Sequence, residues 1–190
     1  MFCAPDPRPP TPVTRTLYLI AALSLAALPA VAQRHVEVPA IAPRPEDVGS
    51  VDGVMKAFYD VINGPAGQPR QWSRDRTLYI PDIRFISIGI GKDGKVHAST
   101  VTHQQYVDGS NGSMVKNGFF ETEIHRVTRS FGNMTHVFST YEMRGKPDGP
   151  VIGRGVNSLQ LFNDGTRWWV ASVMWDDERE GNPIPPEFLP

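Results

Sequence analysis

The amino-acid sequence predicts a single α+β domain, and three observations carry that prediction. From Gly118 to Asp176 four strand-like runs follow one another with tight turns between them. Ahead of them Val48, Val51, Val54, Met55, Phe58, Val61 and Ile62 recur at three- and four-residue spacing, the mark of a helix with one apolar face. The chain has 190 residues, enough for one domain with a proper core and too few for two comfortable ones.

The four runs are rich in β-branched and aromatic residues. They cover Phe119 to Arg129, Met134 to Met143, Gly155 to Phe162 and Arg167 to Trp175. Ser-Phe-Gly-Asn separates the first pair and Asn163-Asp164-Gly165 the second, which is the usual signal for antiparallel hairpins.

Upstream, Ser50 or Asp47 is placed to cap the first helix, and Asn63-Gly64-Pro65 to stop it with a left-handed residue followed by a proline. A short second helix from Gln71 to Leu78 presents Trp72 and ends at Ile80-Pro81-Asp82. Arg84 to Ile90 then alternates like a strand, with Lys95 to Ser99 as its hairpin partner. Gly89, Gly91 and Gly94 match the spacing of a dinucleotide fingerprint, but that motif works only when a helix follows and points its amino end at phosphate. A strand follows, so Gly91-Lys-Asp-Gly94 is read as a hairpin turn. Thr102 caps a third short helix through Val107, and Asp108 to Ser113 is a loop by composition. After Trp175 the chain is charged, then Pro-rich, and is expected to leave the sheet and run along the surface, with 181–190 as a tail.

A formal net charge of -1 with Lys and Arg scattered along the chain gives no electrostatic footprint for nucleic acid or an anionic membrane. Residues 1–32 read as a signal peptide. Arg8 and Arg15 supply a basic start, Leu17 to Leu28 an apolar run, and Ala30-Val31-Ala32 a small-x-small site for cleavage before Gln33. An uncleaved membrane anchor is the competing reading, weakened by Pro29 and the Ala-Val-Ala site directly after the apolar run. The expected destination is the periplasm or the exterior. Cys3 is the one cysteine and precedes the apolar run, so the mature chain would have no thiol for catalysis, disulfides or metal. Residues 33–46 are a Pro/Ala-rich spacer in which His35 is a solvated side chain, and residues 47–180 form the domain.

Several passages resemble the SnoaL-like, nuclear-transport-factor-2-like family. They are the early helix with Val54, Phe58 and Tyr59, and the run from Trp72 to Phe85 with its W…L…P-D-x-x-F pattern. Glu123-Ile124, Gly132, Val137 to Glu142, Arg154 to Leu161 and Asp164-Gly165-x-Arg167-Trp168 continue it over about residues 48 to 180. The resemblance implies a cone- or barrel-like fold: a strongly curved antiparallel sheet wrapped around amino-terminal helices, with a deep apolar pocket between them. It also implies a homodimer paired through the outer sheet face. Members include isomerases, dehydratases, cyclases, hydrolases and non-catalytic binding proteins, so the fold does not choose a reaction. No catalytic set of the family aligns onto this chain.

Strand parity supplies the candidates, because residues two apart share a face. With Gly132-Asn133 as the turn, Val127 faces Phe138, His125 faces Thr140 and Glu123 faces Glu142. One face would then carry Glu121, Glu123, His125, His136, Phe138, Thr140 and Glu142, and the other Ile124, Arg126, Val137, Ser139, Tyr141 and Met143. Glu123, His125, His136 and Glu142 are the acid–base candidates, since two buried like charges raise one carboxyl pKa toward neutrality. A solvated polar face explains the same residues. Trp72, Tyr106, Phe138, Tyr141, Trp169 and Trp175 could line an apolar pocket, with Asn157 and Gln160 orienting a small apolar ligand. His97, His103, His125 and His136 with Glu121 or Glu123 lack metal-ligand spacing, so neither metal nor cofactor is expected.

The export reading is checked by amino-terminal sequencing of the protein recovered from the periplasm or medium: the first residue should be Gln33.

Overall fold

The computed structural model describes residues 35–190, and the signal-peptide assignment lies outside them. Two helices open the fold, α1 (Pro45–Val48) and α2 (Val51–Asp60). Ser50 caps α2, its hydroxyl accepting the Gly53 N–H at 3.0 Å. The helix stops without a left-handed residue, because neither Asn63 nor Gly64 has a positive φ. Gly64 is required for another reason: a Cβ there would sit 2.4 Å from Nη1 of Arg70, whose guanidinium donates to the carbonyls of Gly64 and Met114 at 2.7 and 2.6 Å.

The short helix α3 (Trp72–Arg76) follows, tied to α1 by paired hydrogen bonds from Arg74 to the Asp47 carboxylate, both at 2.7 Å. Strands β1 (Arg84–Ile90) and β2 (Val96–Thr102) form the expected hairpin, with Gly94 left-handed in its turn. Helix α4 (His103–Asn117) differs from expectation, since it runs for 15 residues straight through the segment read as a loop. Its start is a full capping box between Thr102 and Gln105. Its poor helix formers are outweighed by tertiary contacts: Val107 is buried with Trp72, and Asn111 accepts the Trp72 indole N–H at 2.7 Å. Asp108 accepts the Val36 N–H at 2.8 Å, so His35 to Val38 dock on α4 instead of hanging free as a spacer.

Strands β3 (Phe120–Phe131), β4 (Met134–Arg144), β5 (Gly153–Asn163) and β6 (Trp168–Asp177) complete one sheet in the order β2-β1-β6-β5-β4-β3. It is mixed and open where an antiparallel, barrel-like sheet was expected: β1 runs parallel to β6, and β2 and β3 are free edges. The inner face packs on the helices, with Val54, Met55 and Phe58 of α2 meeting Phe85, Val137, Leu159, Leu161, Val170 and Val173. The carboxy-terminal segment does not simply run along the surface. It folds back so that Ile184 is buried and Phe188, in a 3-10 turn (Pro186–Phe188), packs on Phe138 at a ring distance of 5.1 Å.

Leu159, fully buried on β5, should cost about 2–5 kcal/mol when changed to alanine. Phe131, 82% exposed at the β3–β4 tip, should change stability by no more than about 0.5 kcal/mol in Phe131→Ala. Urea denaturation of both variants checks the assignment of faces.

Candidate functional site

The pairing of β3 with β4 begins as the turn dictates, with Val127 opposite Phe138 and His125 opposite Thr140. One residue later it breaks. Glu123 pairs with Tyr141, and Ile124 is the extra residue of a β-bulge. A bulge reverses the parity of everything beyond it, so Glu123 leaves the face it was expected to share with the other three acid–base candidates. Glu121 and Glu123 turn inward with Ser139 and Tyr141, while His125, His136 and Glu142 lie on the outer face. The correction has a simple cause: strict alternation holds only for an unbroken ladder.

Glu121 is held in place by its backbone. On the outer side of edge strand β3, the side chain of Asn63 accepts the Glu121 N–H at 2.7 Å and donates to its carbonyl at 3.0 Å, replacing a neighbouring strand. The Glu121 side chain, 8% exposed, then enters a buried polar chain. The Asn157 amide donates to Glu121 Oε1 and to the Tyr59 hydroxyl, both at 3.3 Å. Tyr59 and Ser139 are hydrogen-bonded at 2.6 Å, and the Ser139 hydroxyl donates to Glu123 Oε2. Glu123 ends the chain in an ion pair with Arg126 at 2.6 Å, and Arg126 reaches Asp52 at the surface. From Asn157 through Tyr59 and Ser139 the donors run in one direction, toward the Glu123 carboxylate.

Burial pushes the Glu121 carboxyl up to about 8; the Asn157 hydrogen bond pulls it down and the charge of Asp177 raises it further. Glu121 Oε2 has no hydrogen-bond partner among the described residues. At neutral pH this is a protonated carboxyl beside an amide and a phenol, able to donate a hydrogen bond to a neutral ligand oxygen.

The other candidates are scattered. Glu142 pairs with Arg144 at 2.6 Å, and His136 bonds the Ser158 hydroxyl at 2.8 Å on the outer face. Tyr141, 2% exposed, donates to Asp177 at 2.6 Å and, with Asn157, adjoins Glu121 on the inner face. Trp72, Tyr106 and Trp175 form an aromatic row, with Tyr106 also stacked on Phe85 at 4.8 Å. Phe138 and Gln160 do not share the face of Tyr141 and Asn157 as lining of one pocket would need; both face outward. Trp169 is anchored at the β5–β6 turn by Asp164, with the Arg167 guanidinium 3.7 Å from its ring. Phe138 and Trp175 also line a cavity of about 310 Å³ between the outer face and the folded-back terminus. The histidines stand apart, and among the described residues no three His, Cys, Asp or Glu side chains gather as a metal site.

Sequence reasoning missed Glu121 as the principal carboxylate, and it missed Tyr59 and Ser139. The signal for Glu121 was available only as its place two residues before Glu123; the bulge that separates it from His125 leaves no mark in the pattern. The pairing of Asp75 with His103 was also missed.

No family model matches the chain, and no curated protein matches it. Solved structures do. One is a cystatin-like-fold protein of unknown function from Nostoc punctiforme, at TM-score 0.51 and 7% identity over 67% of this chain and 88% of that one. Another is the β subunit of a candidate aromatic-ring-hydroxylating dioxygenase from Novosphingobium aromaticivorans, at TM-score 0.51 and 13% identity over 72% and 95%. A third, an NTF2-like protein of unknown function from Shewanella baltica, aligns at TM-score 0.45 and 12% identity over 66% and 89%. The chain has the cystatin-like fold of the first of these, the fold class that the sequence resemblance implies.

The raised carboxyl carries a pH signature. The folded group titrates near 8 and the unfolded one near 4.5, so between these values the folded state keeps a proton that the unfolded state loses. Stability should fall as pH rises through that window and level off above it. Urea denaturation at about pH 5 and about pH 8 should show a loss on the order of a few kcal/mol that Glu121→Gln abolishes.

Proposed function

We propose that this is an exported domain that binds a small, largely apolar molecule inside the cone and acts on it by acid–base chemistry without a cofactor. The observation that carries the reading is Glu121: a buried carboxyl whose pKa is pushed up to about 8, with one oxygen held by Asn157 and the other without a hydrogen-bond partner among the described residues. Such a group protonates or hydrogen-bonds a carbonyl, hydroxyl or epoxide oxygen as negative charge develops on it. Asn157 and Tyr59 fix its orientation, and the aromatic row of Trp72, Tyr106 and Trp175 supplies apolar surface. Isomerase, dehydratase, cyclase and hydrolase reactions all use this step. Glu121 replaces the Glu123–His125 pair, because Glu123 is neutralised by Arg126 and His125 is on the other face.

A second reading is a non-catalytic dimeric module that binds a ligand or a partner protein. It is favoured by apolar side chains on the outer face, where Met134 is 58% exposed and Phe162 and Met174 each 36%. The likeness in fold to a protein described as the β subunit of a candidate aromatic-ring-hydroxylating dioxygenase agrees with it.

Native mass spectrometry of the protein purified from its export compartment, followed by denaturation, separates the two. The first reading expects a retained small apolar compound that the wild type converts, and that Glu121→Gln still binds but converts at least about a hundredfold more slowly. An empty protein that is a clean dimer overturns it in favour of the second.

A further inference from the structure

We propose a second binding site at the head of α4 that takes a small ligand bearing an oxyanion, a carboxylate or a phosphate. A cavity of about 380 Å³ opens there, lined by Arg76, Arg84, Thr102 and His103 together with Val38 and Ile83. Its elements are the α3–β1 connection and the β2–α4 junction. Because β2 and β3 are opposite edges of the sheet, this cavity and Glu121 belong to different ends of the strand order.

His103 is what makes the cavity a built site. It is 5% exposed, and its Nε2 lies 2.9 Å from Oδ2 of Asp75, itself 1% exposed. The other Asp75 oxygen accepts the Tyr79 hydroxyl at 2.8 Å, so the carboxylate is fully engaged and Nε2 is fixed as a donor. The imidazole is further held against the Tyr79 and Phe85 rings, at 5.7 and 6.1 Å. Nδ1 has no partner among the described residues and is not one of the enclosed unpartnered atoms. The residue itself lines the cavity. This is the arrangement by which a buried carboxylate orients an imidazole so that its second nitrogen faces a ligand.

The walls select negative charge. Arg76 donates to the carbonyls of Ile80 and Pro81, and Arg84 to those of Asp82 and Ile83. Neither has an ion pair among the described residues, so both charges stand unneutralised beside the cavity. Asp82 is the one carboxylate on the lining, leaving the guanidiniums in excess. The 15-residue α4 adds its positive end, although the Gln105 N–H is already taken by Thr102. An oxyanion would bridge the two guanidiniums across the cavity.

Calorimetric titration of the full chain with inorganic phosphate and, separately, with acetate, against chloride at matched ionic strength, tests this. One-site binding of at least one of the two anions is expected, and the stronger of them identifies the oxyanion class. Arg84→Gln, at an exposed position, should weaken that binding about tenfold with unchanged circular dichroism, as should Arg76→Gln. Glu121→Gln should leave it unchanged, which keeps this result independent of the fate of the cone-interior reading. Binding no stronger than chloride for both anions, or binding that is indifferent to both arginine substitutions, overturns the proposal.

Discussion

The arrangement of side chains in this protein depends on one extra residue in one strand. Ile124 has no partner on β4, and that single unpaired position decides which side chains enter the interior from the whole first turn of β3. It brings Glu123 and Arg126 to the same face at a spacing of three, where a regular strand would set them on opposite faces. The ion pair between them is possible only because of the bulge. Asn63 then locks the strand on the far side of it, so the position of Glu121 is fixed from two directions.

A polar chain inside a core is tolerated when each member is satisfied, and here nearly every member is. Asn157 gives its amide hydrogens to two acceptors, Tyr59 and Ser139 each pass one on, and Glu123 receives the last beside a guanidinium. Aligned donors polarise one another, which holds Tyr59 and Ser139 in single orientations. Glu121 is the exception, with only one oxygen engaged by protein. Burial therefore favours the neutral acid over the anion despite the Asn157 hydrogen bond, and an otherwise satisfied network leaves one site where chemistry can occur.

Much of the fold was legible in the sequence because its signals are local. The α2 face, the β1–β2 turn at Gly94 and the β3–β4 and β5–β6 hairpins all announce themselves by period or by turn residues. What escaped depended on contacts distant in sequence. Asp108 to Ser113 has the composition of a loop, yet Trp72 and Val36 hold it as helix from the outside. Gly64 has the look of a helix stop, yet serves the approach of Arg70. The site was half legible: Glu123, Tyr141 and Asn157 were among the candidates and do lie on the inner face. Their grouping with His125, Phe138 and Gln160 failed because parity cannot see a bulge, and the Asp75–His103 pair spans elements that no pattern joins.

The strand order has a consequence for how the chain comes together in time. β1 is made early, but its neighbour in the sheet other than β2 is β6, the last strand of the chain, with Phe85 opposite Val173. The β1–β2 hairpin cannot dock on the sheet until nearly everything has been synthesised, and the closing segment that places Phe188 on Phe138 comes later still. Local hairpins β3–β4 and β5–β6 can form first, while the parallel β1–β6 pairing must wait for a long loop to close and so governs the slow part of folding.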